Sequence, residues 1–550
     1  MPCAAFDGWQ STPMMTSLLI AAAITAAAPA PALSAAQIRE DVRTLSTDAF
    51  GGRGPGEAGE AKTIAYLAAR FAAAGLQPGG ENGGWYQDVP LIRLDRAPGA
   101  TIALALGDKS QDLRLGRDAA LSLRNPGTTT VEAAPLVFAG FGIVDAARGW
   151  DAFRGVDMHG KVAVVLANDP DFEGGKDLGF GGRQLVFAGR VGAKAEAAAK
   201  AGAIGILVIH EDAAASYPFS QIGSGDALPA FAFAPLNASA LKFSGWLTRD
   251  AATTLLAQHR MTLAGLKVNA RDPKFEAVAL TGSTVSVSGT VKATPVTSHN
   301  VIAHLPGATR PDEVVLYGAH WDANGRNGPV GNDGIRNGAI DNATGTAELL
   351  EVARAFARGP RPARSVVFAA WTAEEKGLLG SEYYAGHPLY PLATTALALN
   401  LDPHVVLPAA RDIELIGGGR TPLEADLRRI AAARGLRVDD EPNPEAGWYF
   451  RSDHYSFARR GVPTVAFRAG RDLVDGGLAA GAPVVAAYNQ ERYHQPSDAF
   501  DPDWTFAGTL QEAGVAYALG TEVANGSTWP EWNGNGEYRA LRDTTAAQRK

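Results

Sequence analysis

The chain has 550 residues, of which 46% are hydrophobic and 20% charged, and its formal net charge is −8. This length predicts two or three folded units, and the composition supplies enough apolar side chain to bury their cores, which excludes a disordered protein. The acidic balance gives no electrostatic footprint for nucleic acid or an anionic membrane, so neither partner is expected.

The first predicted element is a secretory signal peptide in residues 1–36. It contains a short apolar stretch, roughly Leu18 to Ala28, followed by small residues and prolines. This stretch is about half of the ~20 residues that a membrane-spanning helix needs, so we expect cleavage and export to the periplasm or the medium, with no stable membrane span. No Lys or Arg precedes it, so translation from Met14 or Met15 and a structural N-terminal helix are the alternatives.

Cysteine chemistry is excluded from the mature chain. The only cysteine, Cys3, lies upstream of the predicted cleavage point. The remaining chain therefore has no disulfide, no cysteine nucleophile and no thiolate metal ligand. Any catalytic metal would have to be held by histidine and carboxylate side chains.

Residues 37–97 are predicted to be largely helical and to form the N-terminal part of the main domain. AAQIREDVRTL and, after a Gly-rich break, AKTIAYLAARFAAAG repeat apolar residues at intervals of three and four. In residues 98–291 the pattern changes to short β-branched runs such as KVAVVLA and AIGILVI, with one clear helix, GRVGAKAEAAAKAG. We expect these residues to form a separate, inserted domain of mixed, strand-rich structure.

Residues 292–525 have the pattern of an α/β sheet. VVLYGAH, SVVFAAW, ALALNLD and VPTVAFR are continuous apolar runs, which is typical of strands covered on both faces, and helices such as TGTAELLEVARAFA alternate with them. We therefore expect a mixed, mostly parallel central sheet with helices on both faces. Residues 526–550 are polar and aperiodic, and are predicted to form a loosely packed tail.

Three successive strands of this sheet end at imidazole or carboxylate groups. VVLYGAH ends at His320, with Asp322 shortly after it, SVVFAAWTAEE ends at Glu374 and Glu375, and ALALNLD ends at Asp402. In open α/β sheets ligands bind beyond the carboxyl ends of the strands, so these side chains are expected to meet there. A metal centre is the simplest explanation of such a set.

Asp341 is the candidate for a carboxylate shared by two cations. It precedes small residues that enter a helix and allow close backbone approach, and it could offer one oxygen to each ion of a pair. Asp333, in the preceding Gly- and Asn-rich loop, is the competing choice and is expected to be solvated. His494 lies in the polar turn ERYHQPSDAFD, with Tyr493 beside it, and could complete a second coordination shell.

Five segments in order, GAHWD, IDNATG, TAEEKGLLGS, NLDP and YHQPSD, resemble the M28 family of zinc peptidases. The similarity extends to GGRGPGEAGEAKTIAYLAARFAAAGL and covers about half of the chain. It implies a phosphorylase/hydrolase-like zinc peptidase fold with two Zn²⁺ ions, for which Co²⁺ or Mn²⁺ could substitute. The family pattern implies that His320 and Asp402 bind one metal, that Glu375 and His494 bind the other, and that Asp341 bridges them.

The resemblance also implies three catalytic roles. Glu374 becomes the general base, because neighbouring residues of an extended chain point to opposite sides and Glu375 can bind metal while Glu374 faces the attacking water. Asp322 would orient the imidazole of His320 through a second-shell hydrogen bond. Tyr493 would polarise the scissile carbonyl.

Two other segments resemble known families less specifically. RSDHYSFARRGVPTVAF resembles the family's SDH stretch, so Asp453 or His454 could border the substrate pocket, with a structural polar loop as the alternative. The insert, particularly GKVAVVLANDP and FAGRVGAKAEAAAKAGAIGILVIHED, resembles a protease-associated (PA) domain. Such domains contain no catalytic groups and usually cover the cleft or tune access, so no catalytic residue is assigned there.

The remaining histidines are not assigned as ligands. His404 follows Asp402 closely, but Pro403 intervenes and the family pattern has no match at that position. The others are interpreted as ordinary core or surface residues: His159, His210, His259, His299, His304 and His387.

The predicted function is that of a secreted di-zinc exopeptidase, most simply an aminopeptidase acting on peptides or proteins. A carboxypeptidase on the same scaffold would need cationic groups for a terminal carboxylate, such as Arg451 or Arg468. A cyclase that keeps one metal fits less well, because both metal positions are complete. A binding protein on a retired scaffold should have lost ligands or the base, and this chain keeps them all.

Overall fold

The computed structural model describes residues 31–174, 177–225, 228–237, 239–326, 334–534 and 538–549. The predicted signal segment up to residue 30 and the competing ligand Asp333 lie outside these ranges. Within them, no helix combines the length and the apolar character needed to cross a membrane.

The helices of the described ranges include every helix predicted above. Most of the longer ones bury apolar residues at intervals of three and four, as helices on a sheet do. They are α1 (Ala35–Leu45), α2 (Ala58–Ala73), α3 (Val191–Lys200), α4 (Asp212–Ala215), α5 (Phe219–Gly225), α6 (Arg249–Ala257), α7 (Leu263–Ala270), α8 (Gly345–Arg358), α9 (Leu379–Gly386), α10 (Leu423–Ala432), α11 (His454–Ala458), α12 (Gly477–Ala487), α13 (Ala507–Asn525) and α14 (Arg539–Asp543).

The strands include those predicted from the apolar runs of the sequence. They are β1 (Gln77–Pro78), β2 (Tyr86–Arg96), β3 (Thr101–Leu106), β4 (Lys109–Leu113), β5 (Ala119–Ser122), β6 (Gly127–Phe138), β7 (Val144–Asp145), β8 (Trp150–Asp151), β9 (Val162–Leu166), β10 (Gly205–His210), β11 (Ala230–Phe233), β12 (Phe243–Thr248), β13 (Val278–Leu305), β14 (Arg310–His320), β15 (Gly325–Arg326), β16 (Ile335–Arg336), β17 (Arg364–Trp371), β18 (Thr395–Asn400), β19 (Asp412–Ile416), β20 (Arg437–Asp440) and β21 (Ala466–Ala469).

The main domain is built on a mixed sheet whose central strands are parallel. β14 lies between β17 and β18 and pairs parallel with both, while β13 pairs antiparallel with β17. Alternate residues of β17 enter different apolar clusters: Val366 and Phe368 pack with α2 and α8, whereas Val367 and Ala369 pack with α9 and α11. Because successive side chains of a strand point to opposite faces, helices cover both sides of the sheet. The predicted α/β class is confirmed.

One long strand joins the main domain to the inserted residues. β13 has 28 residues, and it pairs with β6, β3 and β2 before it reaches β17. The predicted domain boundary at residue 291 therefore falls inside a continuous strand. The apolar cores on either side are nevertheless separate clusters, so each part buries its own hydrophobic residues.

The insert packs against the main domain beside the metal-binding edge. The side chain of Asn168 donates a hydrogen bond to the carbonyl of Glu445 (3.0 Å), and the ring of Phe187 stacks on Tyr455 with centroids 5.6 Å apart. These contacts hold the insert over the edge at which β14, β17 and β18 end. Its resemblance to a PA domain stays a prediction.

The prediction of a loosely packed tail after residue 525 is wrong for its described residues. Trp532 and Arg542 are 1% and 2% exposed, and the Trp532 indole donates to the carbonyl of Gly461 (2.9 Å). Arg542 donates to the carbonyl of Thr395 (3.1 Å). Isolated aromatic residues anchor this segment without any periodicity, which is why the sequence pattern did not reveal its packing.

Candidate metal centre

The parallel strands deliver the predicted side chains to one edge of the sheet. His320 is the last residue of β14, the helical turn Glu374–Lys376 follows β17, and Asp402 follows β18. Asp341 lies in a wide helical turn, Ala339–Thr344, which leads into α8. His494 comes from a distant turn after the helical segment Tyr488–Arg492, and its backbone φ is +60°.

Two groups of potential metal ligands share Asp341. His320, Asp341 and Asp402 form one group, and Asp341, Glu375 and His494 form the other; the ligand atoms of each lie within 4.8 Å of one another. His320 Nε2 is 3.2 Å from Asp341 Oδ1, and His494 Nε2 is 3.2 Å from Asp341 Oδ2. The bridging carboxylate thus presents a different oxygen to each histidine.

The other carboxylates complete each group at similar distances. Glu375 Oε2 lies 3.1 Å from His494 Nε2, and Asp402 Oδ1 lies 3.7 Å from His320 Nε2. Burial alone would raise the pKa of Asp341, but hydrogen bonds from the two imidazoles hold it well below its ordinary value. Buried negative charge of this density favours bound cations.

Asp322 lies beside the imidazole of His320, and its nearest group is the backbone carbonyl. His320 Nδ1 donates to the backbone carbonyl of Asp322 at 3.1 Å, whereas the Asp322 carboxylate is 3.6 Å away. Asp322 Oδ1 accepts a hydrogen bond from the backbone N–H of Glu374 at 3.0 Å. The carbonyl fixes the tautomer, so that Nε2 of His320 faces the ligands, and the buried carboxylate positions the turn that carries Glu374.

Glu374 lies beside both groups without belonging to either. Its side chain is 11% exposed, and Oε2 lies 3.9 Å from His320 Nε2. Burial raises the pKa of Glu374 well above its ordinary value, His320 opposes this rise, and Asp453 and Asp402 add to it. A carboxylate held near the ligands with a raised proton affinity is suited to accept a proton.

Tyr493 stacks on His494, with ring centroids 3.8 Å apart, and lines the same small pocket as Glu374. Arg451 Nη2 donates to the Tyr493 hydroxyl at 3.3 Å. Burial raises the pKa of Tyr493 well above its ordinary value although the charge of Arg451 opposes this. The hydroxyl therefore stays protonated and can donate a hydrogen bond into the pocket.

Of the two residues predicted to border the substrate pocket, His454 lines the small pocket and Asp453 does not. The ring of His454 meets that of Tyr449 edge-on, with centroids 4.8 Å apart. Burial lowers the pKa of His454 to about 4. Asp453 is fully buried and lies outside the pocket lining. Its charge acts on Glu374 from behind the pocket wall.

Asp498 was missed by the sequence reasoning, although it ends the quoted segment YHQPSD. Its carboxylate accepts hydrogen bonds from the backbone N–H groups of Ile340 and Asp341, each at 3.1 Å, and from the Tyr488 hydroxyl at 3.4 Å. These bonds fix the backbone that carries the bridging carboxylate. The signal that could have found Asp498 is its place within a motif that already contributed a ligand.

Arg53, in the Gly-rich segment GGRGPG, was also missed. Its fully buried guanidinium donates to the carbonyls of Trp321 (2.7 Å), Asn337 (2.6 Å) and Gly338 (2.8 Å). It thereby ties the chain after His320 to the chain before Asp341. No periodicity predicts such a role, because the contacts are made to distant backbone.

The histidines that were left unassigned stay outside both groups of the described residues. His404 lines the small pocket, where its Nε2 lies 2.6 Å from Asn489 Oδ1. Its ring packs on Trp448 with ring centroids 4.4 Å apart. Burial holds its pKa well below the ordinary value, so the ring is a neutral part of the pocket wall.

Comparison with known proteins agrees with this architecture. Residues 300–518 match the model of peptidase family M28. A probable zinc metalloprotease of Pyrenophora teres f. teres is 39% identical over 108 residues, 20% of this chain and 23% of that protein. A probable lipoprotein aminopeptidase, LpqL, of Mycobacterium tuberculosis is 30% identical over 260 residues, 42% of this chain and 47% of that protein. The chain thus spans less than half of the length of these relatives.

A solved structure extends the likeness of the fold beyond the matched segment. The aminopeptidase from Aneurinibacillus sp. strain AM-1 superposes with a TM-score of 0.53 and 19% identity, covering 90% of this chain and 94% of that one. At this identity the likeness concerns the fold, which the two proteins share over most of their lengths. With the five ordered segments, both ligand groups and the family match in one stretch, residues 300–518 belong to peptidase family M28.

Proposed function

We propose that this protein is an exopeptidase of the aminopeptidase type that uses two zinc ions. The observation that carries the proposal is the shared carboxylate, because Asp341 offers one oxygen toward His320 and the other toward His494. A carboxylate placed in this way suits a pair of cations, one on each side. The names of relatives such as the LpqL aminopeptidase support the same class.

The donor set fits zinc. Each group combines one imidazole with carboxylate oxygens, and no thiolate is available, so Zn²⁺ suits the site, and Co²⁺ or Mn²⁺ could substitute. His320 and Asp402 would hold one ion, Glu375 and His494 the other, and Asp341 would bridge them. When bound, such ions lower the pKa of a water molecule and polarise the scissile carbonyl.

The side chains of the cleft supply the proton transfers. Glu374 accepts a proton from the attacking water and passes it to the amine that leaves. The Tyr493 hydroxyl donates a hydrogen bond to the carbonyl oxygen as negative charge develops there. Asp322 and Asp498 hold the backbone of Glu374 and Asp341, so the reacting groups keep their geometry.

The small pocket favours cleavage from the amino end. Its volume is about 70 Å³, and its walls include Ile416 and Phe467, so it suits the side chain of a single residue. Glu374 and Asp402 line it as well, and their negative charge suits a free ammonium group. Of the two cations that a carboxypeptidase could use, Arg468 is engaged by Glu414 at 3.0 Å, whereas Arg451 also lines the pocket and donates to the Tyr493 hydroxyl at 3.3 Å.

The proposal is tested with the zinc-loaded protein and a matched set of peptides. One peptide has both ends free, the second has an acetylated amino end, and the third has an amidated carboxyl end; mass spectrometry follows the products. We expect stepwise loss of residues from the amino end, and acetylation should prevent it. Release of residues from the carboxyl end of the acetylated peptide would identify a carboxypeptidase instead.

We further propose that the protein is exported. The apolar segment before residue 30, with its small residues, supports this. N-terminal sequencing of the protein from the periplasm or the medium should give a start near residue 37. A start at Met1, Met14 or Met15 would contradict cleavage.

A further inference from the structure

A second, much larger cavity lies between the insert and the main domain. Its volume is about 660 Å³, within the range of cavities that bind small ligands. The main domain contributes Glu375 and His494, the ligands of one proposed ion, whereas His320 and Asp402 of the other group line the small pocket. The two cavities therefore open on different sides of the metal centre.

The wall that the insert contributes carries two arginines that form no ion pair within the described ranges. Arg124 follows β5 and Arg190 precedes α3, and both line the cavity. No ion pair joins either guanidinium to a carboxylate of the described residues, although Glu375 and Glu445 line the same cavity; Arg190 is half-buried and Arg124 is exposed. Other arginines of the insert differ: Arg114, for example, pairs with Asp118 at 2.8 Å.

Arg451 of the main domain lines both cavities and connects them. Its guanidinium lies 4.2 Å from the ring centroid of Trp448 and 5.4 Å from that of Tyr217 in the insert, and it has no carboxylate partner among the described residues. Burial lowers the pKa of Arg190 to about 10, and the positive charge of Arg451 adds to this effect. The two like charges thus act on each other across the cavity.

Such an arrangement is costly unless an anion occupies the cavity. Arginine stays protonated near neutral pH, so its charge cannot be removed as that of a buried carboxyl can. Like charges repel each other in a partly desolvated space, and Arg190 and Arg451 are both half-buried. A planar carboxylate, which guanidinium groups bind through paired hydrogen bonds, would neutralise them.

We propose that the large cavity binds a carboxylate group on the leaving side of a short peptide, through Arg190, Arg124 and Arg451. This inference rests on the proposed function for the direction of the substrate. The residue to be released occupies the small pocket, and the remainder of the peptide extends past Glu375 and His494 into the large cavity. The carboxylate is either that of the chain end or that of an acidic side chain.

Four peptides distinguish the two sources of the carboxylate. Leu-Ala-Ala and its amide differ only in the terminal carboxylate, whereas the amides of Leu-Ala-Glu and Leu-Ala-Gln differ only in the side-chain carboxylate. For at least one pair, the zinc-loaded protein should show a kcat/KM about 10- to 100-fold higher for the charged member, chiefly through KM, as expected for a charge-assisted contact. Equal values within both pairs would overturn the proposal.

Substitution of the arginines tests whether they are the cause. In Arg190→Gln and in Arg124→Gln the preference for the charged member should fall about 10-fold or more, as expected for a lost charge-assisted contact. The ratio is measured within each variant, so a smaller folded fraction does not affect it. Arg114→Gln, which changes a paired arginine of the insert, should keep the full preference. Retention of the preference in both cavity variants would refute the assignment.

A binding measurement separates this inference from the proposed function. Calorimetry with glutarate and with the acetylated form of Leu-Ala-Glu-amide, which an aminopeptidase should not cleave, needs no turnover, and Arg190→Gln should weaken both ligands about 10-fold or more. If the protein hydrolyses no peptide but shows this binding, the peptidase proposal fails and the carboxylate site stands. If it hydrolyses peptides but neither ligand binds in an arginine-dependent way, the site fails and the peptidase proposal stands.

Discussion

The main domain and the insert differ in how the charges that face the metal centre are paired. On the main-domain wall, His320 and His494 each lie 3.2 Å from an oxygen of Asp341, so both imidazoles have a carboxylate partner. On the insert wall, Arg124 and Arg190 have no carboxylate partner within the described ranges. We therefore expect the first wall to hold cations and the second to receive an anion, as proposed above.

A third region of the molecule, the core between two helices, contains buried carboxyl groups without cationic partners among the described residues. Glu348 of α8 and Glu512 of α13 are fully buried, and burial raises the pKa of both carboxyls. The charge of Glu512 adds to the rise at Glu348. A buried carboxyl can escape its charge by binding a proton, whereas a guanidinium cannot. Unpaired arginines therefore need solvent or a ligand, and unpaired carboxyls do not.

Removal of the shared charge should have the largest effect. In Asp341→Asn we expect loss of turnover together with a fall in zinc affinity of more than about 100-fold, because both ligand groups lose a member. Elemental analysis after dialysis and an aminopeptidase assay measure the two effects. Asp426→Asn, on exposed α10 and paired with Arg429, is the control. Full zinc content in Asp341→Asn would show that the carboxylate is not shared.

Replacement of the proposed base should separate catalysis from metal binding. Glu374→Gln is expected to lower kcat by about 10²- to 10⁴-fold, because the proton of the attacking water loses its acceptor. Its zinc content should equal that of the wild type, since Glu374 belongs to neither ligand group. Glu382→Gln changes a carboxylate paired with Arg460 outside the cleft and should remain active. Normal turnover of Glu374→Gln would exclude it as the base.

Weakening the support of Asp341 should have an intermediate effect. In Asp498→Asn one carboxylate oxygen no longer accepts from the N–H groups of Ile340 and Asp341, so we expect zinc affinity or kcat to fall about 10- to 100-fold. Zinc titration followed by kinetics at saturating zinc separates these effects. Asp501→Asn, which alters a carboxylate bonded only to the N–H of Asp503, is the matched control. Equal behaviour of both variants would contradict a positioning role.

The smallest effect is expected in the core. Burial raises the pKa of Glu512 to about 8, so the folded state binds more protons than the unfolded state, and stability falls as the pH rises from about 4.5 to 8. Glu512→Gln removes this decline and should raise the free energy of unfolding at pH 8 by about 2 kcal/mol, with little change at pH 4. Urea unfolding at both pH values measures this. A variant less stable than the wild type at pH 8 would contradict the prediction.

A matched variant makes this last experiment specific to burial. Glu522→Gln lies on the same helix, but its carboxylate pairs with Arg429 at the surface. It should change stability by less than about 1 kcal/mol, and without the pH dependence expected of Glu512.

The sheet and the ligand set could be predicted because their signals are local. Continuous apolar runs mark β14, β17 and β18, and the ligands follow the ends of these strands directly. Once parallel strands are inferred, their ends must meet at one edge. The five ordered segments then related Asp341 and His494 to this edge, although no periodicity connects them.

The remaining features depend on contacts that no local pattern encodes. Asp322 was predicted to orient His320 through a hydrogen bond, but whether the backbone carbonyl or the carboxylate lies closer depends on side-chain rotamers that only the packing decides. The buried tail was missed because single residues such as Trp532 anchor it. Arg124 and Arg190 were not singled out, since the absence of a counterion becomes visible only when the whole surrounding wall is known.

The 28 residues of β13 form one continuous strand that the insert and the main domain share. The same backbone pairs with β6 in the insert and with β17 in the main domain, so moving the insert away would bend this strand or break part of its pairing. We therefore expect the entrance between the insert and the main domain to keep a nearly constant width. The size of this opening would then limit the substrates that fit, without any movement of the insert.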